Sequence, residues 1–158
     1  MQEESKFLNV EAPAQWAQSL EQVFIEVRYA HRHDSPGCSQ VEDETVVIEE
    51  DFVQVYVVCI QGTQKIRYIW SVVLNAPINV EKSFSKHQAV GRHHITLEKV
   101  HQPDRWRFLH SEEDVRPSQL RIWKDKHQKH LEKVWEHFDP PSADWEGHEW
   151  KEAEEEDY

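Results

Sequence analysis

Apolar and polar residues alternate along most of the first hundred positions. In the run 23–29, VFIEVRY, the side chains of Val23, Ile25 and Val27 point to one side of an extended chain and Glu26 to the other, which is the period of a half-buried β-strand. Similar runs predict strands at 45–50, 52–60, 65–74 and 93–100, with short edge strands at 14–18 and 80–85. About seven short strands, with turn residues and no helical pattern between them, predict an all-β protein, a seven-stranded antiparallel β-sandwich.

The hydrophobic period changes after Trp106. From Ser118 onward apolar positions recur at spacings of three and four residues, which predicts an amphipathic helix over 118–138. Pro117 marks its start, and Asp139 with the two prolines that follow marks its end. The pattern is compatible both with packing on the sandwich and with binding a partner.

The chain divides into four predicted parts. Residues 1–10 form a disordered N-terminus, 11–112 the sandwich domain, 113–138 a helical extension and 139–158 a disordered acidic tail. The tail is too charged and too poor in aliphatic residues to offset the entropy lost on folding.

Charge narrows the class of partner. The formal net charge is −12, and the last twenty residues carry nine acidic side chains against one lysine, a net charge of −8. Such a field repels phosphate backbones and anionic lipid, so we expect a protein partner and neither nucleic acid nor membrane. The start of the chain resembles no signal peptide and no apolar run reaches spanning length, which favours a cytoplasmic protein.

The two cysteines and the histidines give the candidate chemistry. Cys59 lies in an apolar run and Cys38 in a predicted loop, which favours reduced thiols, with a Cys38–Cys59 bridge as the alternative. Among eleven histidines the best cluster is His31-x-His33, near Asp34 and Cys38. Its spacing fits no known zinc motif, so we interpret these as polar loop residues and expect no metal and no cofactor.

Two further histidine pairs are also poor ligand sets. His93 and His94 are adjacent and face opposite sides of a strand, while His127 and His130 share the wet flank of the predicted helix. The chain has no nucleophile motif and only four glycines, which argues against a phosphate-binding loop. We therefore predict that the protein is not an enzyme.

Seven tryptophans are many for this length and divide by context. Those at 16 and 70 are predicted core residues, and Trp106 either plugs the end of the sandwich or forms an exposed platform. Trp123, on the helical stripe, is predicted to pack on the sandwich or to bind a partner. Trp145 and Trp150 have no core around them, so we interpret them as anchors for another protein surface.

The stretch 74–109, LNAPINVEKSFSKHQAVGRHHITLEKVHQPDRWRFL, resembles the signature of the CS domain. The matching features are the Glu81-Lys82-Ser83 core, a strand that ends in Ile-Thr-Leu-Glu-Lys, and Trp106 with Leu109 three residues on. Upstream, Gln15-Trp16-x-Gln18 followed by VFIEVRY resembles the opening of the family. The resemblance covers about residues 12–110 and implies the seven-stranded sandwich shared by CS domains and small heat shock proteins.

Within that family, an acidic tail with spaced tryptophans resembles the small acidic co-chaperones of heat-shock protein 90. The resemblance implies binding to the closed, ATP-bound chaperone. Together with position along the chain, it leads us to expect contacts by Trp106, Arg107, Leu109 and Arg116 near the end of the sandwich and by Trp123 on the predicted helix, which has no counterpart in those co-chaperones. It also implies that Trp145 and Trp150 hold non-native clients. The tyrosine that the family places after the first tryptophan is Ala17 here, so prostaglandin synthase activity is not carried over.

Two alternatives belong to other classes. One is a CS-domain scaffold of the nuclear-distribution or ubiquitin-ligase-adaptor kind, and the other is an enzyme or metal protein built on the histidines. The charged tail favours a monomer.

Overall fold

The computed structural model describes residues 7–88 and 90–127. Within these ranges the chain forms nine strands: β1 (Phe7–Glu11), β2 (Ala14–Gln18), β3 (Gln22–Arg28), β4 (Val41–Glu49), β5 (Phe52–Gln61), β6 (Gln64–Val73), β7 (Ile78–Gln88), β8 (Arg92–Lys99) and β9 (Leu120–Ile122).

The strands form two sheets. The four-stranded sheet has the order β1-β6-β5-β4 and the five-stranded sheet the order β7-β8-β3-β2-β9. Paired strands are antiparallel except for β1 with β6 and β2 with β9, which are parallel. The predicted all-β sandwich is confirmed, with the seven predicted strands present as β2 to β8.

The N-terminal boundary of the sandwich is corrected. Residues 7–10, assigned to a disordered N-terminus, belong to β1, which pairs with β6 from Phe7 with Lys65 to Glu11 with Ile69. The pairing satisfies backbone groups that would otherwise be left on the open edge of β6. The rest of the predicted disordered segment, 1–6, lies outside the described residues.

The predicted helix over 118–138 is wrong at its start. Residues 120–122 form β9, in which Leu120 and Ile122 are buried and Arg121 is only half-buried. Parallel pairing of β9 with β2 also moves the predicted edge strand 14–18 into the sheet interior. Gln119, just before β9, has a φ of 57°, a left-handed conformation that an α-helix excludes.

Helical structure begins later, over residues 124–127, with a backbone hydrogen bond of 2.8 Å from the amide of His127 to the carbonyl of Trp123. The rest of the predicted helix and the whole acidic tail lie outside the described residues. Between residues 7 and 127, as far as they are described, no helix is both long and apolar enough to cross a membrane.

The core lies between the two sheets, and three tryptophans of the described residues belong to it. Trp16 and Trp70 are buried, as predicted, and Trp106 joins them with 2% of its surface exposed. Trp106 is therefore a buried plug of the sandwich and not an exposed platform. Leu109 is fully buried beside it in the core.

A buried lysine fixes the chain where it leaves β8. The ammonium of Lys99 donates to the side-chain oxygen of Gln18 at 2.8 Å and to the carbonyls of Ser19 at 2.8 Å and Asp104 at 2.7 Å. Gln18 in turn bonds both backbone groups of Trp106. Burial lowers the pKa of Lys99 to about 7, with Asp104 and Glu21 acting against that shift. This network connects the plug to β2 and β8.

Cys38 and Cys59 form a disulfide, so the expectation of reduced thiols is wrong for this structure. Cys38 follows the loop after β3, and its amide bonds the carbonyl of Tyr29 at 2.8 Å. The Cα atoms of the two cysteines lie 6.3 Å apart, within the range a bridge requires. The bond connects the loop between β3 and β4 to β5 of the four-stranded sheet.

Replacement of Lys99 by methionine should destabilise the sandwich. The variant keeps the stem of the side chain but leaves two buried carbonyls without their donor, at a cost of about 3 kcal/mol in the free energy of unfolding. Urea denaturation measures the loss. The matched control is Lys86→Met, at an exposed lysine on β7, and equal stability of the two variants would contradict this role of Lys99.

Reduction of the disulfide should also lower the free energy of unfolding. The two cysteines are 21 residues apart, and a closed loop of this size stabilises by about 3 kcal/mol in the chain-entropy account. Denaturation with and without dithiothreitol measures the difference. The Cys38→Ala/Cys59→Ala variant should not respond to dithiothreitol, and an unchanged wild-type midpoint would count against the bond.

Candidate partner-binding site

The outer face of the five-stranded sheet carries a row of polar side chains. Strand register places His94 on β8, Glu26 on β3, Gln15 on β2 and Arg121 on β9 side by side. They face outward because their neighbours along each strand, such as Ile25 and Ile95, fill the core.

Hydrogen bonds link this row from end to end. The ring nitrogen Nε2 of His94 donates to Oε2 of Glu26 at 2.8 Å. The side-chain nitrogen Nε2 of Gln15 donates to Oε1 of the same carboxylate at 2.8 Å. Arg121 Nε donates to Gln15 Oε1 at 3.3 Å. Glu26 is buried although it lies on the outer face, because the neighbouring side chains cover it.

A pocket of about 440 Å³ opens over this row. We call it the arginine groove; its lining residues are Ala14, Gln15, Glu26, Arg28, His33, Arg92, His94, Arg121, Trp123 and Asp125. Three guanidinium groups face two carboxylates there, so the groove has an excess of positive charge. Within this lining no serine, threonine or cysteine is present to act as a nucleophile.

One wall of the groove is the loop that follows β3. Arg28 donates to the carbonyl of His33 and, at 2.8 Å, to that of Ser35. His33 Nε2 lies 2.6 Å from the carbonyl oxygen of Gln119. Burial, and then the nearby charges of Arg121 and Arg28, lower the pKa of His33. His33 is therefore neutral at pH 7, and the positive charge of the groove comes from the arginines.

The opposite wall is the segment after β9. The amide of Trp123 bonds the carbonyl of Trp16 at 2.8 Å, and its ring meets that of His94 edge to face at 5.1 Å. Lys126 lies 4.6 Å from the ring centre of Phe24, which also faces outward. The described start of the predicted helical extension therefore packs on the sandwich and leaves Trp123 half-buried at the groove.

The residues expected to contact a partner fall into two groups in the structure, those buried in the core and those at least partly exposed. Trp106 and Leu109 are core residues, so the expectation that their side chains form a contact surface is corrected. Arg107 is exposed and stacks 5.1 Å from the ring centre of Phe108, Arg116 is half-buried, and Trp123 lines the groove. The tail residues Trp145 and Trp150 lie outside the described residues.

Sequence reasoning missed the groove as a site. The signal was present in part, because Glu26 and Arg28 occupy the outward positions of a strand that was correctly predicted. The order of strands in the sheet could not be derived from the pattern, and the groove depends on β3 lying between β8 and β2.

Comparison with known proteins bears on the fold. No protein-family model matches the chain, and no curated protein matches it. Among solved structures it is similar to heat shock protein 16.0 from Schizosaccharomyces pombe, with a TM-score of 0.48 and 11% identity over 61% of this chain and 93% of that one. It is also similar to the CS domain of human KIAA1068 protein, with a TM-score of 0.44 and 17% identity over 69% of this chain and 85% of that one. These neighbours are a small heat shock protein and a CS domain, and the likeness concerns the fold.

Replacement of Arg121 by glutamine should raise the pKa of His33. The change removes a positive charge that disfavours the imidazolium. Titration of the histidine ring signals by NMR measures the shift. Arg92→Gln is the control, at an arginine that lines the same groove from β8. An unchanged pKa of His33 in Arg121→Gln, or the same shift of that pKa in both variants, would contradict the described electrostatics.

Proposed function

We propose that the protein is a non-enzymatic co-chaperone that binds the closed, ATP-bound state of heat-shock protein 90. In this proposal the arginine groove and Trp123 form the centre of the contact surface, and the acidic tail holds non-native clients through Trp145 and Trp150. The observation that carries it is the groove itself, which presents three arginines and a half-buried tryptophan on a sheet.

Arginine and tryptophan are the side chains that most often dominate the binding energy of protein interfaces. In the groove they are held by strand pairing and by contacts to the loop carbonyls and to His94. Little conformational entropy is then lost when a partner binds. The excess positive charge favours an acidic side chain of the partner.

The lining of the groove favours binding over catalysis. Its two carboxylates are Glu26, which is buried and already bonded by Gln15 and His94, and Asp125, which is exposed. Neither is paired with a nucleophile among the lining residues. A site of this composition can orient and hold a partner through charge and shape.

The sequence adds two supports to the proposal. Residues 12–110 resemble a CS domain, and the tail combines spaced tryptophans with a net charge of −8. Within the proposal, Trp106 and Leu109 act from inside by fixing the segment that carries Arg107 and Arg116. These two arginines remain outlying contacts. The mechanism is differential binding, in which a ligand that prefers the closed chaperone shifts its population towards that state.

We also propose a cytoplasmic location and a monomeric state, as the chaperone partner and the charged tail suggest. The disulfide bears directly on this location, because cytosolic reductants act against such bonds. Trapping of free thiols in a fresh cell extract, followed by mass spectrometry, distinguishes the cases. Two alkylated cysteines fit the cytoplasm, and an intact bond points to an oxidising compartment.

Calorimetric titration of the full chain into heat-shock protein 90, with and without a non-hydrolysable ATP analogue, tests the function. We expect binding only with the analogue. Arg121→Glu combined with Trp123→Ala should weaken it by at least about tenfold, as expected for hot-spot residues. Trp145→Ala with Trp150→Ala should retain the affinity and lose client holding.

Lys82→Glu is the matched control for charge reversal, because Lys82 is exposed on β7 at the other edge of the same sheet. Unchanged affinity in a folded groove variant would exclude the groove as the contact. Equal binding with and without the ATP analogue, or no binding in either state, would favour an adaptor of the nuclear-distribution or ubiquitin-ligase kind.

A further inference from the structure

A second cluster of polar side chains lies at the other edge of the five-stranded sheet, where β7 meets β4 of the four-stranded sheet. His87 on β7 and His93 on β8 are direct register partners. Glu44 on β4 reaches them from the opposite sheet. Tyr29, just after β3, completes the cluster from within the core.

Strand alternation explains why these groups converge. Position 93 belongs to the inward row of β8, whose other members are Ile95, Leu97 and Lys99. A histidine at the end of this row is buried and needs polar partners. The edge strand β4 supplies a carboxylate at that point. His87 lies at the rim, with 47% of its side chain exposed.

The distances match those of a ligand set. Oε2 of Glu44 lies 3.1 Å from Nδ1 of His87 and 2.9 Å from Nδ1 of His93, and the candidate ligand atoms of all three residues lie within 4.8 Å of one another. A tetrahedral zinc ion with bonds of about 2.0–2.1 Å keeps its ligand atoms about 3.3 Å apart. Only small side-chain adjustments separate the observed geometry from that arrangement.

Oε2 of Glu44 has more hydrogen-bond partners than it can accept from. Oε2 of Glu44 faces the hydroxyl of Tyr29 and the Nδ1 atoms of both histidines, whereas a carboxylate oxygen offers about two lone-pair sites. The second ring nitrogen of His93, Nε2, is buried and has no hydrogen-bond partner in the part of the chain that is described. A cation between the carboxylate and the two rings relieves the crowding.

The hydroxyl of Tyr29 fixes the position of the carboxylate. It donates to Oε2 of Glu44 and lies 3.0 Å from Nδ1 of His93. Tyr29 is fully buried in the core, so it orients Glu44 from the inner side of the cluster and leaves the outer side, where His87 lies, open to solvent.

We propose that Glu44, His87 and His93 bind a divalent ion of the zinc class, with Tyr29 orienting Glu44 and a fourth position open to water. Two imidazoles and one carboxylate form a ligand set that zinc commonly takes. His87 provides the entry path from solvent. The bound ion connects β4 to β7 and β8, so it stabilises the packing of one sheet on the other. This inference goes beyond the proposed function and does not depend on it.

Zinc chloride titrated into the full chain, prepared without a histidine tag, tests the site. We expect one zinc ion per wild-type chain that His87→Ala does not bind, or binds at least about tenfold more weakly. Zinc should raise the melting temperature of the wild type, and EDTA should reverse the rise. Cobalt should give the visible spectrum of a tetrahedral ion in the wild type.

His101→Ala is the matched control, because His101 is exposed and lies outside the cluster. It should behave as the wild type in all three measurements. Glu44→Gln, which keeps the size of the side chain and removes its charge, should lose the zinc response while folding. Equal zinc uptake and equal melting shifts in the wild type and His87→Ala would overturn the proposal. An unchanged melting temperature of the wild type after zinc is added would also overturn it.

Discussion

Strand β3 pairs with β2 on one side and β8 on the other, and the register of these pairings determines both faces of the five-stranded sheet. Its odd positions place Val23, Ile25 and Val27 in the core, while its even positions place Glu26 and Arg28 in the arginine groove. A slip by one residue would exchange the two sets. The apolar core therefore enforces the groove, because burying Glu26 and Arg28 between the sheets would cost far more than the groove gains.

The fold was largely predictable because alternation is a local property. Strands β2 to β8 each extend over at least five residues, enough for the period of two to be read. β9 has three residues, and Leu120 with Trp123 and the apolar positions after it also fits a helix. Its pairing with β2, more than a hundred residues away, decided the outcome. Trp106 was ambiguous for a similar reason, since the network of Lys99 and Gln18 that fixes it joins β2 to β8 and the segment after β8, which are far from β2 in the sequence.

The candidate sites were less predictable than the fold, because each depends on strand order. The groove joins residues of four strands, and the cluster of Glu44, His87 and His93 joins the two sheets. His93 and His94 do face opposite sides, as expected, but each meets its own partner: His93 contacts Glu44 and His94 contacts Glu26. His93 therefore belongs to the cluster with Glu44, and the adjacent His94 belongs to the arginine groove. The cysteines likewise met only because the loop after β3 folds back against β5.

The disulfide has a topological effect as well as an energetic one. It closes a covalent ring from Cys38 to Cys59 that contains all of β4, an edge strand of its sheet. Edge strands are the elements that copies of a chain most readily exchange or align in aggregates. The bond holds the chain just before β4 against Cys59 of β5, whose register partner is Val41, and the turn at residues 50–51 joins the other end of β4 to the start of β5. Displacement of β4 from its sheet is therefore opposed at both ends while the bond is intact. The oxidised chain should exchange this strand with another copy less readily than the reduced chain.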